Sequence, residues 1–199
     1  MRKHVVTALA IGVSLAGSVA LAALPPRTRG TIESADATML TIDTRGGQKV
    51  EIEITPETKF ASVTQAQFSD IKPDSYIGTA AAPQPNGTLK ALEVTVFDPR
   101  LRGVGDGHYP WDLGNNSSMT NGAVGALQGA NGRTMVVQYK GGEKQITVPQ
   151  DVPIVTLTPA DASVVKPGAH AVAFAQKGAD GKLTAGFVAV GENGAIPPM

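Results

Sequence analysis

The 199-residue sequence has no cysteine and few aromatic residues: one tryptophan, three tyrosines and five phenylalanines. Without cysteine the chain can form no disulfide framework, no thiolate metal site and no thiol nucleophile, and it cannot be acylated at cysteine as lipoproteins are. Any stable core must therefore come from apolar packing alone. We expect no bound cofactor, because no motif for one occurs.

An excess of charge of either sign is also missing. The chain carries 17 basic and 17 acidic residues, and loss of Arg2 and Lys3 with an N-terminal signal would leave 15 against 17. A balance of this kind gives no broad positive footprint for nucleic acid or an anionic membrane. The 23 glycines and 14 prolines favour short strands and tight turns over long helices.

Long apolar runs are confined to the start of the chain. Basic residues at Arg2–His4 precede an apolar stretch, and Ala20-Leu21-Ala22 offers a small-residue cleavage site. This pattern predicts a secretory signal peptide over residues 1–22. After its removal the sequence predicts no membrane span, and the expected location is the periplasm.

The rest of the chain contains an internal repeat with an offset of 92 to 95 residues. We predict a first unit at 23–98, a glycine- and aromatic-containing linker at 99–120, a second unit at 121–191 and a tail at 192–199. Corresponding turn residues in the same order indicate a duplication. The clearest matches are Arg45–Lys49 with Lys140–Lys144, Asp70–Asp74 with Val164–Gly168, and Asn86–Lys90 with Asp180–Thr184.

Each unit reads as short strands around one short helix. Alternation of apolar and polar residues at Lys49–Ile54 is typical of a half-buried strand, and the segment Thr64–Ile71 is predicted to be the helix. A single long strand is predicted at Leu89–Phe97, and extra short strands at Lys59–Val63 and Pro153–Leu157. Three strands, a helix and two strands are the order of an OB-fold. The predicted fold is therefore all-β, with two OB-like β-barrels in tandem.

Several motifs give the chain a family resemblance. It is similar to secreted Gram-negative bacterial proteins of unknown function that contain repeated small β-barrel units. The resemblance implies an architecture and assigns no catalytic residue. Such proteins often carry the label of metal ABC transporter permease, which would require several membrane-spanning helices. The motifs that carry the likeness are Gly30–Ser34, Asp70–Pro73, Asn86–Glu93, Gly107–Gly114 and Met119–Asn121.

A metal site is one hypothesis for the linker. His108, Asp106 and Met119 lie close in sequence, and histidine with methionine is a ligand set suited to copper. Their spacing matches no known ligand motif. A hydrogen-bonded structural role for His108 is the alternative.

Two catalytic interpretations have weaker support from the sequence. Asp106, His108 and Ser117 or Ser118 could be imagined as a hydrolase triad, but the chain has no G-x-S-x-G nucleophile elbow. The glycines of Gly103–Gly107 lack G-x-G-x-x-G spacing for a phosphate and fit a flexible linker. No enzyme activity is expected.

The aromatic pair Tyr109 and Trp111, with Asp112, is the candidate ligand-binding group. One reading is a stacking platform for a sugar or peptide, because both rings offer large apolar faces with a polar edge. The other is a structural plug between the barrels. The expected function is non-enzymatic binding of an envelope protein, a polymer or a small ligand, with metal binding as the second hypothesis.

Overall fold

The computed structural model describes residues 27–128 and 133–198, so the predicted signal peptide at 1–22 lies outside the described part. The described chain contains fourteen strands and three helical segments of one 3₁₀ turn each, which confirms the all-β prediction. The strands are β1 (Arg27–Ala35), β2 (Met39–Thr44), β3 (Lys49–Glu53), β4 (Lys59–Gln65), β5 (Tyr76–Pro83), β6 (Leu89–Ala91), β7 (Val94–Phe97), β8 (Gly107–Pro110), β9 (Ser118–Gln128), β10 (Thr134–Tyr139), β11 (Gly142–Thr147), β12 (Ile154–Ala160), β13 (His170–Lys177) and β14 (Leu183–Gly191).

Local sequence explains the hairpins. On β2 the side chains of Leu40 and Ile42 are fully buried while the intervening residues are not, as the period of two requires. Gly47 then adopts a φ of +73°, and its N–H donates to the Thr44 carbonyl at 2.8 Å, which turns the chain into β3. A non-glycine residue would be strained at this φ.

Five strands close a first ring in the order β1, β2, β3, β14 and β13, with β13 pairing again to β1. All neighbours are antiparallel except β3 and β14, which are parallel. Each leucine or isoleucine buried here contributes roughly 1.5–3 kcal/mol. The ring encloses one cluster of buried aliphatic residues: Ile32, Leu40, Ile42, Ile52, Ala171, Ala173, Ala175, Ala185, Val188 and Val190.

A second ring is closed in the same way by β9, β10, β11, β6 and β5, with β5 pairing again to β9. Here the parallel pair is β11 with β6. Its interior holds a separate cluster that includes Ile77, Val94, Val124, Met135 and Ile146.

Each ring takes strands from both halves of the chain, whereas the sequence predicted one barrel within 23–98 and another within 121–191. Strands β1 to β3 pair with β13 and β14, and β9 to β11 pair with β5 and β6. Hairpin partners are set by adjacent turns and can be read locally. The partner of a strand that follows a longer connection depends on contacts far away in sequence, which the repeat does not reveal.

The two rings use the same relative register. Gly30 on β1 pairs with Ala171, and Gly122 on β9 pairs with Ile77. At the parallel contacts Glu53 faces Thr184, and Thr147 faces Lys90. Equivalent positions, offset by 92 to 94 residues, therefore make equivalent pairings in the two rings.

Strands β4 and β12 connect the rings. They correspond to the extra strands predicted at Lys59–Val63 and Pro153–Leu157, and they pair with each other in antiparallel fashion, Val63 opposite Leu157. On their outer sides β4 pairs with β14 and β12 with β7. This crossing carries each half of the chain from its own three strands into the other ring. A third apolar cluster lies between the rings and contains Ala61, Val63, Tyr76, Phe97, Val155, Leu157 and Ala189.

The predicted helices are reduced to single turns. The helix expected at Thr64–Ile71 is wrong, because β4 runs on to Gln65 and only Phe68–Asp70 is helical. The Asp70 carboxylate accepts the Gln67 N–H at 2.8 Å, which caps this single turn. A longer helix cannot follow because Pro73 comes only three residues after Asp70. In the second half Ala162–Val164 forms the corresponding turn.

The single strand predicted at Leu89–Phe97 is split by a bulge. The N–H groups of Leu92 and Glu93 both point to the Ala80 carbonyl, at 2.8 and 3.4 Å. Leu92 and Glu93 together therefore face the single residue Ala80 on β5, and this bulge separates β6 from β7.

Candidate functional site

A cavity of about 250 Å³ lies between the two rings, beside the third apolar cluster. Five aromatic side chains line it: Phe97, Tyr109, Trp111, Phe174 and Phe187. They are more than half of the nine aromatic residues in the whole sequence. In a chain so poor in aromatics, this concentration marks the cavity as the candidate site.

Three cross-strand pairs place the lining residues. Tyr109 on β8 faces Met119 on β9, and Phe97 on β7 faces Leu157 on β12. Directly opposed side chains project from the same face of a sheet, so each pair delivers two lining residues together.

The third pair is Phe174 with Phe187, on β13 and β14. Their ring centroids are 5.7 Å apart with an interplanar angle of 57°, within the spacing that favours tilted aromatic pairs. Both strands belong to the first ring, whereas the Tyr109 and Met119 pair belongs to the edge of the second. The cavity therefore requires both rings.

Trp111 is held in the wall by a compact loop. The backbone N–H of Trp111 donates to the Ser117 carbonyl at 2.8 Å, and the Ser117 hydroxyl donates back to the backbone carbonyl of Trp111 at 3.0 Å. Tyr109 lies beside the indole, with centroids 5.9 Å apart. Trp111 is half-buried and packs on the cluster between the rings. It thus fills space between the rings, as a plug would, and also lines a cavity.

Arg27 covers the indole from the first ring. Its guanidinium carbon lies 3.6 Å from the centroid of the Trp111 ring, a cation–π contact. The Arg27 side chain is only 7% exposed. Because Arg27 is paired with Phe174 across β1 and β13, it stands next to two lining residues.

Asp112 joins the loop to the same arginines. Its carboxylate accepts from Arg27 Nε at 3.0 Å and from Arg29 Nη2 at 2.8 Å and Nη1 at 3.2 Å. Partial burial opposes ionisation, but the hydrogen bonds from Arg29 and Arg27 outweigh it and lower the pKa of Asp112. The sequence singled out Asp112 as a ligand-binding residue; the structure shows it bound to arginines.

Asn121 stands at the floor of the cavity. It is 6% exposed, and its Nδ2 donates to the Val104 carbonyl and to the Tyr109 hydroxyl, each at 3.3 Å. Its Oδ1 and the Trp111 Nε1 are buried without a hydrogen-bond partner among the described residues. Unpaired buried polar atoms of this kind cost free energy, and they are rare in folded proteins.

A fully buried carboxyl group lies in the same interface. Glu93 Oε1 accepts the Ala80 N–H at 2.7 Å and Oε2 accepts the Thr95 hydroxyl at 3.1 Å. Burial raises the pKa of Glu93 to about 7, although these hydrogen bonds and the charge of Arg29 act in the opposite direction.

The residues of the metal hypothesis do not converge. His108 Nδ1 lies 2.9 Å from the Thr120 hydroxyl, and the His108 ring stacks on Tyr139. Met119, the residue before Thr120 on β9, lines the cavity instead. Partial burial and the charge of Lys144 lower the pKa of His108. Within residues 27–128 and 133–198 no three His, Asp or Glu side chains form a cluster fit for a metal ion.

Asp106 is tied into the fold as well. Its Oδ1 accepts the Lys140 N–H at 2.6 Å, and its Oδ2 accepts the Tyr76 hydroxyl at 3.4 Å. The members of the imagined hydrolase triad are bonded to other residues, since the Ser117 hydroxyl donates to the Trp111 carbonyl and His108 contacts the Thr120 hydroxyl.

Sequence reasoning missed Phe97, Phe174, Phe187, Arg27 and Glu93. The three phenylalanines sit in strands, where an apolar residue is usually core, and only the exchange of strands brings them together. Glu93 did carry a signal, since in the predicted strand Leu89–Phe97 it falls on the same alternating face as Leu89 and Ala91, where an apolar residue is expected.

Comparison of the chain with protein-family models, with curated proteins and with solved structures finds no match. In the described ranges there is no helix with the length and apolar character needed to cross a bilayer. Function therefore has to be inferred from the geometry of the chain itself.

Proposed function

We propose that this chain is a non-enzymatic binding protein that encloses a small, largely apolar ligand in the cavity between its two rings. The observation that carries the proposal is the convergence of five of nine aromatic side chains on one cavity. Ligand pockets are mostly lined by apolar and aromatic side chains, with a few polar groups that orient the ligand.

The size of the cavity limits the ligand. A buried apolar cavity of about 150 Å³ is large enough to hold benzene. A cavity of about 250 Å³ therefore suits a molecule of one or two rings. The cavity is too small for a folded protein, and a polymer could place only one side group in it, which favours the small ligand among the three partners expected from the sequence.

The proposed fold relationship is a duplication of OB-like units that have exchanged their last two strands. Both rings contain three consecutive strands followed by two from the other half, and equivalent residues pair in equivalent registers. The five-stranded Greek-key barrel is a common ligand-binding architecture. The relation to secreted proteins with repeated barrels and the periplasmic location belong to this proposal; mass spectrometry of the exported protein would test cleavage after Ala22.

Calorimetric titration with indole, a neutral two-ring probe, tests the binding proposal. In the variant Phe187→Trp the larger side chain fills the cavity, and affinity for indole is expected to fall at least tenfold. Phe68→Trp is the matched control, because Phe68 packs on the cluster inside the second ring and not on the cavity. Absence of indole binding to the parent protein, or equal binding by both variants, would refute the proposal.

A further inference from the structure

We propose that the ligand of this cavity is an uncharged aromatic molecule that carries both a hydrogen-bond donor, which bonds to Asn121 Oδ1, and an acceptor, which bonds to Trp111 Nε1. The inference rests on the binding function proposed above and adds the chemical class of the ligand.

Two polar atoms of opposite kind are left unpaired at the cavity. Asn121 Oδ1 can only accept a hydrogen bond and Trp111 Nε1 can only donate one, and both are buried without a partner among the described residues. Both residues line the cavity. No other buried side-chain nitrogen or oxygen within residues 27–128 and 133–198 lacks a partner. The unpaired atoms of the described fold therefore both belong to the candidate site.

The surroundings of Asn121 fix which of its amide atoms is unpaired. One amide atom lies 3.3 Å from the Val104 carbonyl, and because a carbonyl oxygen only accepts, that atom must be the nitrogen Nδ2. Nδ2 also donates to the Tyr109 hydroxyl at 3.3 Å. The oxygen is left as a free acceptor, and an N–H or O–H group of a ligand would satisfy it.

The Asn121 amide lies between two glycines. A Cβ at Gly78 would lie 2.6 Å from Oδ1, and a Cβ at Gly105 would lie 2.6 Å from Nδ2. A larger residue at either position would press on the amide, whereas glycine leaves it room to turn about its terminal torsion, which is intrinsically broad. The amide oxygen can therefore adjust its direction toward a ligand in the cavity.

The lining favours a ligand without charge. No lysine, arginine, aspartate or glutamate is found among the described residues that line the cavity. Burial of an unpaired charge costs far more free energy than burial of a neutral polar group. A neutral aromatic molecule with one donor and one acceptor therefore matches the lining.

The test compares three two-ring probes of similar shape: benzofuran, indole and oxindole. Benzofuran has no donor, indole has an N–H donor, and oxindole has an N–H donor and a carbonyl acceptor. Calorimetric titration should show that indole binds about tenfold more tightly than benzofuran, and oxindole about tenfold more tightly than indole, because each added group pairs a buried atom that is otherwise unpaired.

Two variants assign the two hydrogen bonds. Asn121→Ala removes the acceptor and should bring the dissociation constants of benzofuran and indole together, while oxindole keeps its advantage over indole. Trp111→Phe removes the donor and should abolish the advantage of oxindole, while indole still binds more tightly than benzofuran. A merely structural role would weaken the three probes together. Gln145→Ala, which removes an exposed amide outside the cavity, is the matched control and should leave both ratios unchanged.

The outcomes separate the two proposals. Circular dichroism confirms that each variant is folded, and the ratios measured on the parent protein decide the case if a variant is not. If indole binds in a manner sensitive to Phe187→Trp but the three probes bind equally, the ligand class is wrong and the binding function stands. The same conclusion follows if either preference survives the variant that removes its partner. If no probe binds the parent protein, both proposals fail.

Discussion

At the scale of single residues, Glu93 links the protein's stability to pH. Its pKa rises from an ordinary value of 4.5 to about 7 on folding, because burial disfavours the charged form. A carboxyl whose pKa is raised on folding stabilises the protein fully below pH 4.5, and this contribution is lost as the pH rises through 7. The predicted loss is roughly 3 kcal/mol in the free energy of unfolding between pH 4.5 and 8.

Chemical denaturation at several pH values measures this dependence. Glu93→Gln keeps the shape and an acceptor for the Ala80 N–H but cannot ionise, so its unfolding free energy should vary much less over the same range. The exposed Glu57→Gln is the matched control and should behave as the parent protein. A parent protein whose stability is flat from pH 4.5 to 8 would contradict the assignment.

Gly78 shows how little space the cavity floor allows. A Cβ at this position would lie 2.6 Å from Asn121 Oδ1 and 2.9 Å from Phe97 Cε2. Gly78→Ala must therefore displace two residues of the site, and overpacking of this kind costs about 1–3 kcal/mol. We expect both lower stability and weaker indole binding.

The same substitution at Gly46 provides the comparison. There a Cβ would meet only the Thr44 hydroxyl, at 3.9 Å. Thermal unfolding and probe titration of Gly46→Ala should both match the parent protein. Equal effects of the two substitutions would mean that the floor of the cavity adapts without cost.

At the scale of elements, the loop that carries Trp111 is anchored by Asp112. Asp112→Asn weakens the ion pairs that hold Arg27 over the indole, and we expect Trp111 fluorescence to become more accessible to acrylamide. The stability loss should be near 1 kcal/mol, because Asp112 is partly exposed and its ion pairs are screened by solvent.

Stern–Volmer quenching measures the accessibility directly, since Trp111 is the single tryptophan. Asp161→Asn removes a carboxylate that accepts the Ser163 N–H in the turn at Ala162–Val164, and it should leave quenching unchanged. Identical quenching in Asp112→Asn and the parent protein would show that Arg27 holds its place without the carboxylate.

The elements also show where sequence reasoning succeeds. The strand predicted at Lys49–Ile54 is observed as Lys49–Glu53, because its alternating apolar and polar residues directly follow a glycine turn. The bulge at Leu92–Glu93 was missed, since it depends on the Ala80 carbonyl of another strand. Tyr109 and Trp111 were predicted as site residues from their rarity alone. Phe174 and Phe187 could not be predicted as their partners, because only the strand pairing between distant parts of the chain brings them to the same cavity.

At the scale of the whole molecule, the exchange of strands should make the two rings unfold together. Leu40→Ala opens a cavity in the first ring and Val137→Ala in the second, and large-to-small core substitutions cost about 1–5 kcal/mol. Because each ring depends on both halves of the chain, we expect either variant to shift a single transition.

Guanidinium titration followed by circular dichroism and by Trp111 fluorescence checks the prediction. The two signals should coincide in the parent protein and in both variants. Ile196→Ala, at a side chain that is 49% exposed, should change the midpoint little. Two separated transitions, each moved by only one substitution, would indicate independent rings.

Strand exchange also decides the order in which the molecule can be completed during its synthesis. Thr31 on β1 is joined to His170 on β13, 139 residues later, by ring closure and a side-chain contact. The first three strands emerge early, yet their ring has no closing partners until the last strand exists. Contacts so distant in sequence slow folding. The nascent chain must therefore keep an open, apolar-faced sheet until nearly all of it has been made, and a second copy of the chain could supply the missing strands in that interval.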